Sequence, residues 1–144
     1  MGLEYSIKIE NNTAKVESEE KKAVERALYA IGVKAVEGSV RAISGQYNIA
    51  SAVDTGRLRA SISFITPTQS GDAGLASPPN AKTGDKLKGS AEEKCTIVGT
   101  NVEYAEYVHD GTSRMDGRPF IREGIDQTKD QMKEQVEKIF KGEL

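Results

Sequence analysis

The amino-acid sequence predicts an α+β fold: a small, mainly antiparallel sheet flanked by a long N-terminal helix and a C-terminal helix. Two stretches of helical periodicity, one towards each end of the chain, and three short stretches of alternating apolar and polar residues lead to this prediction. The length of 144 residues suits one domain, and 37% hydrophobic with 29% charged residues is an ordinary globular composition. We therefore expect a single domain over residues 1–144.

The strands are predicted from a period of two. In residues 5–9 every second side chain is apolar, which is typical of a half-buried strand. The pair Asn11-Asn12 suits the turn that follows, and a short returning strand is expected over 13–16. Further strands are expected over 61–65 and 94–99, where the same alternation recurs. These segments would form the small sheet.

The long first helix is predicted to begin near Ser18, whose hydroxyl suits an N-cap. Apolar residues at spacings of three and four follow it, and the pattern ends around Gly45. Gly32 and Gly38 each weaken such a helix by about 1 kcal/mol relative to alanine. Their presence indicates a kink or close packing against a neighbouring element.

The C-terminal helix carries the clearest periodicity in the chain. Pro119 suits a first helical turn, because its missing N–H has no intrahelical partner there, and Gly142 suits the stop. Phe120 is expected to fill the core. The apolar stripe consists of Ile121, Ile125, Thr128, Met132, Val136 and Ile139.

Residues 66–92 differ in composition from the rest of the chain. They hold three of the four prolines and only two large aliphatic side chains, Leu75 and Leu87. A connection of this length without apolar periodicity is usually functional or disordered. We expect a mobile loop that projects from a hairpin, the alternative being a passive surface insertion.

Composition excludes several kinds of site. One cysteine, Cys95, and one histidine, His109, allow neither an intrachain disulfide nor a structural zinc site. A net charge of −2 argues against a surface that grips nucleic acid, which is usually basic. No apolar run reaches the roughly 20 residues that a membrane span needs. We expect no cofactor, no metal and no membrane partner.

The first dense motif, D-T-G-R-L-R-A-S-I, begins at Asp54. Either Asp54 or Thr55 can cap a short helical turn, and Gly56 permits close backbone approach. Leu58 and Ile62 point the same way because four residues separate them. The pattern favours a turn that locks a helix to a strand.

Two charged residues, Arg57 and Arg59, interrupt this motif. Arginine side chains are mostly exposed in folded proteins. We therefore expect both to be solvated, with contact to a partner as the alternative.

The second motif, Y-A-E-Y-V-H-D-G-T, begins at Tyr104. Tyr104, Tyr107 and Val108 would line one face of a short helix, and Gly111 would end that helix with a positive φ. The pattern predicts packing by this face.

The chain also contains residue types that are used in catalysis. Ser61 and His109, with Asp54 or Asp110, are the residue types of a nucleophile, a base and an orienting acid. No nucleophile-elbow, phosphate-loop or dinucleotide motif accompanies them. We expect no enzymatic activity.

Taken in order, these motifs give the chain a resemblance to the phage tail-component family typified by the tenth gene product of a lambda-like coliphage. That family shows a helix, D-T-G-x-L-R-x-S-I, a variable loop, G-T-x-x-x-Y-A-x-Y-V-E-x-G-T, then R-P-F and a final helix. This chain departs from the pattern where the usual acid is replaced by His109, with Asp110 next. The matching positions are Asp54, Thr55, Gly56, Leu58, Arg59, Ser61, Ile62, Gly99, Thr100, Tyr104, Ala105, Tyr107, Val108, Gly111, Thr112, Arg118, Pro119 and Phe120.

The resemblance implies a structural protein of a tailed phage or prophage, acting in tail completion or in the neck at the head–tail junction. Its copies would form a ring, expected to be hexameric, between a connector or head-completion protein and the tail tube or terminator. It would occupy the host cytoplasm during assembly and the virion afterwards, with DNA passing through the ring. The alternatives are another minor tail protein, such as a tail terminator, and a small nucleic-acid-binding module.

Overall fold

The computed structural model describes residues 2–9, 18–47 and 56–142. The expected returning strand over 13–16 lies outside the described residues, as do Asp54 and Thr55. The secondary-structure elements in chain order are β1 (Leu3–Lys8), α1 (Ser18–Ile43), α2 (Arg57–Ser61), β2 (Ser63–Ile65), β3 (Ser70–Asp72), β4 (Cys95–Thr100), α3 (Ala105–Asp110) and α4 (Phe120–Phe140).

The four strands form one sheet in the order β1-β4-β2-β3, and every neighbouring pair is antiparallel. Val98 in β4 lies opposite Tyr5 on one side and Phe64 on the other, and Phe64 in turn lies opposite Gly71. The long helix α1 and the C-terminal helix α4 flank this sheet, and the short helices α2 and α3 lie in the connections. The α+β prediction is confirmed.

One face of the sheet packs against the two long helices. Phe64 and Val98 are fully buried there, in one cluster with Val36 of α1 and Ile121 of α4. The hydroxyl of Thr96 donates a hydrogen bond of 2.9 Å to the carbonyl of Leu28, so a polar group on this face is also satisfied. The alternation in β1 follows from the same arrangement, since its apolar side chains are half-buried and its polar ones exposed.

The helices α1 and α4 cross with their backbones in contact. A Cβ atom added to Gly38 would lie 2.4 Å from the carbonyl oxygen of Gly124, and one added to Gly124 would lie 2.3 Å from the nitrogen of Ser39. At Gly32 an added Cβ would lie 2.2 Å from the ring of Phe64. Gly32 and Gly38 are therefore sites of close packing within a continuous helix.

The other face of the sheet is covered by part of the segment 66–92. Leu87 and Ala91 are buried against Ile65 and Cys95, and the N–H of Leu87 donates to the Ser63 hydroxyl over 2.9 Å. Strand β3 also belongs to this segment. We expected residues 66–92 to form a loop that projects from a hairpin. Part of the segment instead packs on the sheet, because a few apolar side chains suffice to cover this face. Its mobility stays a prediction.

The ends of several elements differ from the sequence prediction. The expected strand over 61–65 begins only at Ser63, because Ser61 closes α2 and its hydroxyl donates to the carbonyl of Leu58 over 2.6 Å. Pro119 occupies the N-cap of α4 rather than its first turn, with ψ 69°. The predicted strand over 94–99 is found one residue later.

Gly124→Ala is expected to destabilise the protein, although alanine favours an isolated helix by about 1 kcal/mol. The new Cβ would meet the backbone of α1, so the helices must separate, which costs about 1–3 kcal/mol. Denaturant unfolding measures the change. Gln131→Ala, on the exposed side of α4, is the control and should have almost no effect. Equal stability of the two variants would contradict the close crossing.

Candidate functional site

The first motif forms a turn that directs an arginine inwards. Gly56 precedes α2 with φ +83°, in the left-handed region that favours glycine. No atom lies within 4 Å of a Cβ built there, so the glycine is required by backbone conformation and not by close approach. Leu58 and Ile62 both enter the main core, as their spacing predicts. Arg57, which directly precedes Leu58, is 6% exposed.

Arg57 joins three separate parts of the chain. Its Nε and one terminal nitrogen donate to the two carboxylate oxygens of Asp85, over 3.0 and 2.8 Å. Its terminal nitrogens also donate to both oxygens of Glu103, over 3.0 and 2.9 Å. The guanidinium carbon lies 5.6 Å from the ring centre of Tyr104. We call Arg57, Asp85 and Glu103 the arginine cluster.

The charges of the arginine cluster stabilise one another. Hydrogen bonds to the two carboxylates raise the pKa of Arg57. The hydrogen bond from Arg57 lowers the pKa of Asp85, against the opposing effect of burial, and it lowers the pKa of Glu103 to about 2. All three groups are therefore ionised at neutral pH. The prediction that Arg57 is solvated is wrong, whereas Arg59 is half-exposed, 3.4 Å from the Ser44 hydroxyl.

The first motif is joined to the end of β4, just before the second motif, by a buried pair of hydroxyls. Ser61 Oγ lies 2.6 Å from Thr100 Oγ1. Each hydroxyl also has a backbone carbonyl within reach, that of Leu58 at 2.6 Å from Ser61 Oγ and that of Asp85 at 3.5 Å from Thr100 Oγ1. Thr100 Oγ1 also accepts the N–H of Val102 over 3.0 Å. The Ser61 hydroxyl is thus committed to holding α2 on the end of β4.

His109 forms a second buried cluster with residues from three elements. Its ring lies between Tyr5 of β1 and Phe120 of α4, with ring centres 5.5 and 5.3 Å away. Nε2 accepts the backbone N–H of Arg122 over 3.4 Å, which places the proton on Nδ1. Nδ1 then donates to Asp110 over 2.7 Å. His109 connects α3 to the start of α4.

Burial is the main cause that lowers the pKa of His109. The neighbouring carboxylate of Asp110 opposes this effect, and the positive charge of Arg122 adds to it. The folded protein therefore favours the neutral imidazole. Protonation would also remove the lone pair that accepts the Arg122 N–H.

Ser61 and His109 are hydrogen-bonded to different groups and not to each other. The hydroxyl of Ser61 is bonded to Leu58 and Thr100, whereas the imidazole is bonded to Asp110 and Arg122. Asp54 lies outside the described residues. The side-chain hydrogen bonds of both residues thus serve the packing of helices and strands.

The remaining residues of the second motif divide into buried and exposed ones. Phe120 is fully buried, in agreement with its predicted place in the core, and Gly111 ends α3 with φ +84°. Thr112 is exposed and its N–H donates to the carbonyl of Met115 over 2.9 Å. Tyr107 is 60% exposed, so the prediction that it packs is wrong. A six-residue helix cannot bury every residue of that face.

The R-P-F tripeptide completes this region. Arg118 is half-exposed, and its backbone N–H donates to the carbonyl of Val108 over 2.8 Å. This hydrogen bond ties the end of α3 to the residues just before α4. The tripeptide thereby sets the path by which the chain enters its last helix.

A cavity of about 320 Å³ opens beside the arginine cluster, with Lys82, Lys86 and Leu87 in its wall. Lys86 is paired with Asp72 over 2.8 Å, and Arg57 is paired within its cluster. Within residues 2–9, 18–47 and 56–142, no group of three or more histidines, cysteines or acids is placed to hold a metal ion. None of the helices in those ranges is long and apolar enough to cross a bilayer.

Comparison with protein-family models, with curated proteins and with solved structures gives no match for this chain. The resemblance to the tail-component family therefore rests on the three motifs and on their order and spacing.

Asp85→Ala is expected to lower the free energy of unfolding by about 2–3 kcal/mol, because it leaves the buried Arg57 with a single, exposed partner. Glu103→Ala is the matched comparison and should cost much less, since the Glu103 side chain is 58% exposed while that of Asp85 is 11% exposed. Urea unfolding at pH 7 measures both. Equal losses would show that burial does not distinguish the two pairs.

Acidification from pH 7.5 to 5.5 is expected to destabilise the protein through His109. Folding lowers the pKa of His109, so the neutral imidazole makes its full contribution to stability above the unfolded pKa of about 6.5. That contribution is lost as the pH falls from the unfolded pKa towards the lower folded pKa. Chemical denaturation at several pH values measures the slope.

His109→Gln removes the only histidine of the chain and should flatten that slope. Asp110→Asn should steepen it, because Asp110 is the group that raises the pKa of His109. A slope that survives in the glutamine variant would assign the pH dependence to another group.

Proposed function

We propose that this chain is a structural protein of a tailed phage or prophage, acting as a ring at the head–tail junction. The observation that carries the proposal is the series of three motifs in the order and spacing of the tail-component family. Their direct contacts support it. Ser61 of the first motif is hydrogen-bonded to Thr100, which belongs to the G-T pair that precedes the second motif in the family pattern. Leu58 shares a core cluster with Phe120 of the R-P-F motif. The motifs thus act as one folding unit.

The polar residues of this unit are engaged in holding elements together. Arg57 donates to Asp85 and Glu103, Ser61 to a backbone carbonyl, and His109 to Asp110. These contacts favour a scaffold role over catalysis, because Ser61 Oγ is bonded to Leu58 and Thr100 rather than to a base, and His109 Nε2 is occupied by the backbone N–H of Arg122. We propose no enzymatic activity for the chain.

Partner contacts on such a scaffold are made by its surface. The strands β1 and β3 are the outermost strands of the described sheet, and unpaired edges accept added strands. We propose that these edges and the exposed part of residues 66–92 meet the neighbouring copies, a connector or head-completion protein, and the tail tube or terminator. The net charge of −2 would let DNA slide through the ring without adhering to it.

The purified protein is expected to form rings visible by negative-stain electron microscopy, with a mass by light scattering that is a whole multiple of 15.6 kDa. In a phage that encodes it, loss of the gene should leave filled heads and separate tails that do not join. Heads that join tails normally without it would contradict the proposal. A monomer that retains DNA in a salt-sensitive manner would favour the nucleic-acid-binding alternative.

A further inference from the structure

Tyr107 is largely exposed on the surface of the molecule. It lies on α3, is 60% exposed, and is the most exposed of the large hydrophobic side chains that the structure describes. Its neighbours Glu106 and Asp110 are also exposed. Tyrosine surrounded by polar residues is typical of the centre of a protein–protein contact. We call Glu106, Tyr107 and Asp110 the tyrosine patch.

A groove that could accept an aromatic side chain with acidic neighbours runs between β1 and α4. It measures about 540 Å³, and its floor is apolar. The floor residues are Ile7, Ile9, Ile31, Met132 and Val136. Three lysines, Lys8, Lys129 and Lys133, border the groove together with one acid, Glu137, which leaves its border positively charged. A cavity of this size can enclose a phenol ring.

We propose that Tyr107 of one copy inserts into the groove of a second copy of this chain, an inference that rests on the proposed ring. The charges are complementary, because the acids of the tyrosine patch face the lysines that border the groove. The chain cannot fill its own groove in this way. α3 is fixed by His109 to Arg122, and Tyr107 is not among the residues that line the groove.

The patch and the groove are different surfaces of the same molecule. Each copy therefore offers its patch to one neighbour and its groove to the other. Contacts of this head-to-tail kind build rings when the rotation between copies closes. The proposal thereby names a contact that would hold the ring together.

Tyr107→Ala is expected to weaken self-association about tenfold or more in sedimentation equilibrium, as removal of a central aromatic contact does. Tyr107→Phe keeps the aromatic side chain and should assemble like the wild type. Tyr29→Ala, at a tyrosine that is 41% exposed and outside the patch, should also assemble normally. Circular dichroism melting of each variant establishes that it is folded.

A charge exchange tests the partner surface. Lys133→Glu in the groove and Glu106→Lys in the patch should each weaken association, and the two together should restore it, because the attraction is recreated with reversed signs. Both side chains are exposed, so neither change disturbs the core. Restoration in the double variant would identify the two surfaces as a contacting pair.

The possible outcomes separate this inference from the proposed function. The docking of Tyr107 would be overturned if Tyr107→Ala associates as strongly as the wild type, or if the double variant does not regain association. Either result would leave the proposed ring assembly standing. A wild-type chain that stays monomeric at every concentration would overturn the docking and the ring alike.

Discussion

The arrangement of this protein depends on the burial of one positive charge. Arg57 follows directly on the turn at Gly56, and its guanidinium donates four hydrogen bonds to Asp85 and Glu103. Desolvating a guanidinium costs several kcal/mol unless carboxylates replace the lost water. Those carboxylates come from the segment 66–92 and from the connection after β4. Loss of the buried Asp85 would leave the Arg57 charge with only the exposed Glu103 as its partner. Three regions of the chain are thereby held in one arrangement.

Small residues set how closely the layers approach. The ring of Phe64 lies between Gly32 of α1 and Gly71 of β3, while Gly38 and Gly124 let the two long helices touch. A side chain at any of these positions would separate the layers. On the face of the sheet that meets the helices, large side chains therefore pack against glycines. The opposite face is covered more sparsely, by Leu87 and Ala91.

The regular elements could be predicted from the sequence because their signals are local. The stripe of α4 and the alternation in β1 reflect which side of each element meets the core. Arg57 could not be placed, because its partners lie 28 and 46 residues away and it occupies a position that the family pattern leaves variable. The exposure of Tyr107 was missed for a related reason, since helical spacing identifies a face but not whether a neighbour covers it. Asp85 is one of three acids in the segment 66–92, with Asp72 and Glu92, and nothing in the sequence singles it out as the partner of Arg57.

The helix α4 gives the proposed assembly its geometry. His109 fixes α3, and with it the tyrosine patch, to the first turn of α4, while the groove lies against the middle of the same helix. Both contact surfaces of one copy are thus attached to a single rigid element that is itself anchored to α1 at Gly124. The rotation between successive copies would then follow from the angle between patch and groove. A closed ring requires that angle to be constant, and the buried imidazole supplies the constraint.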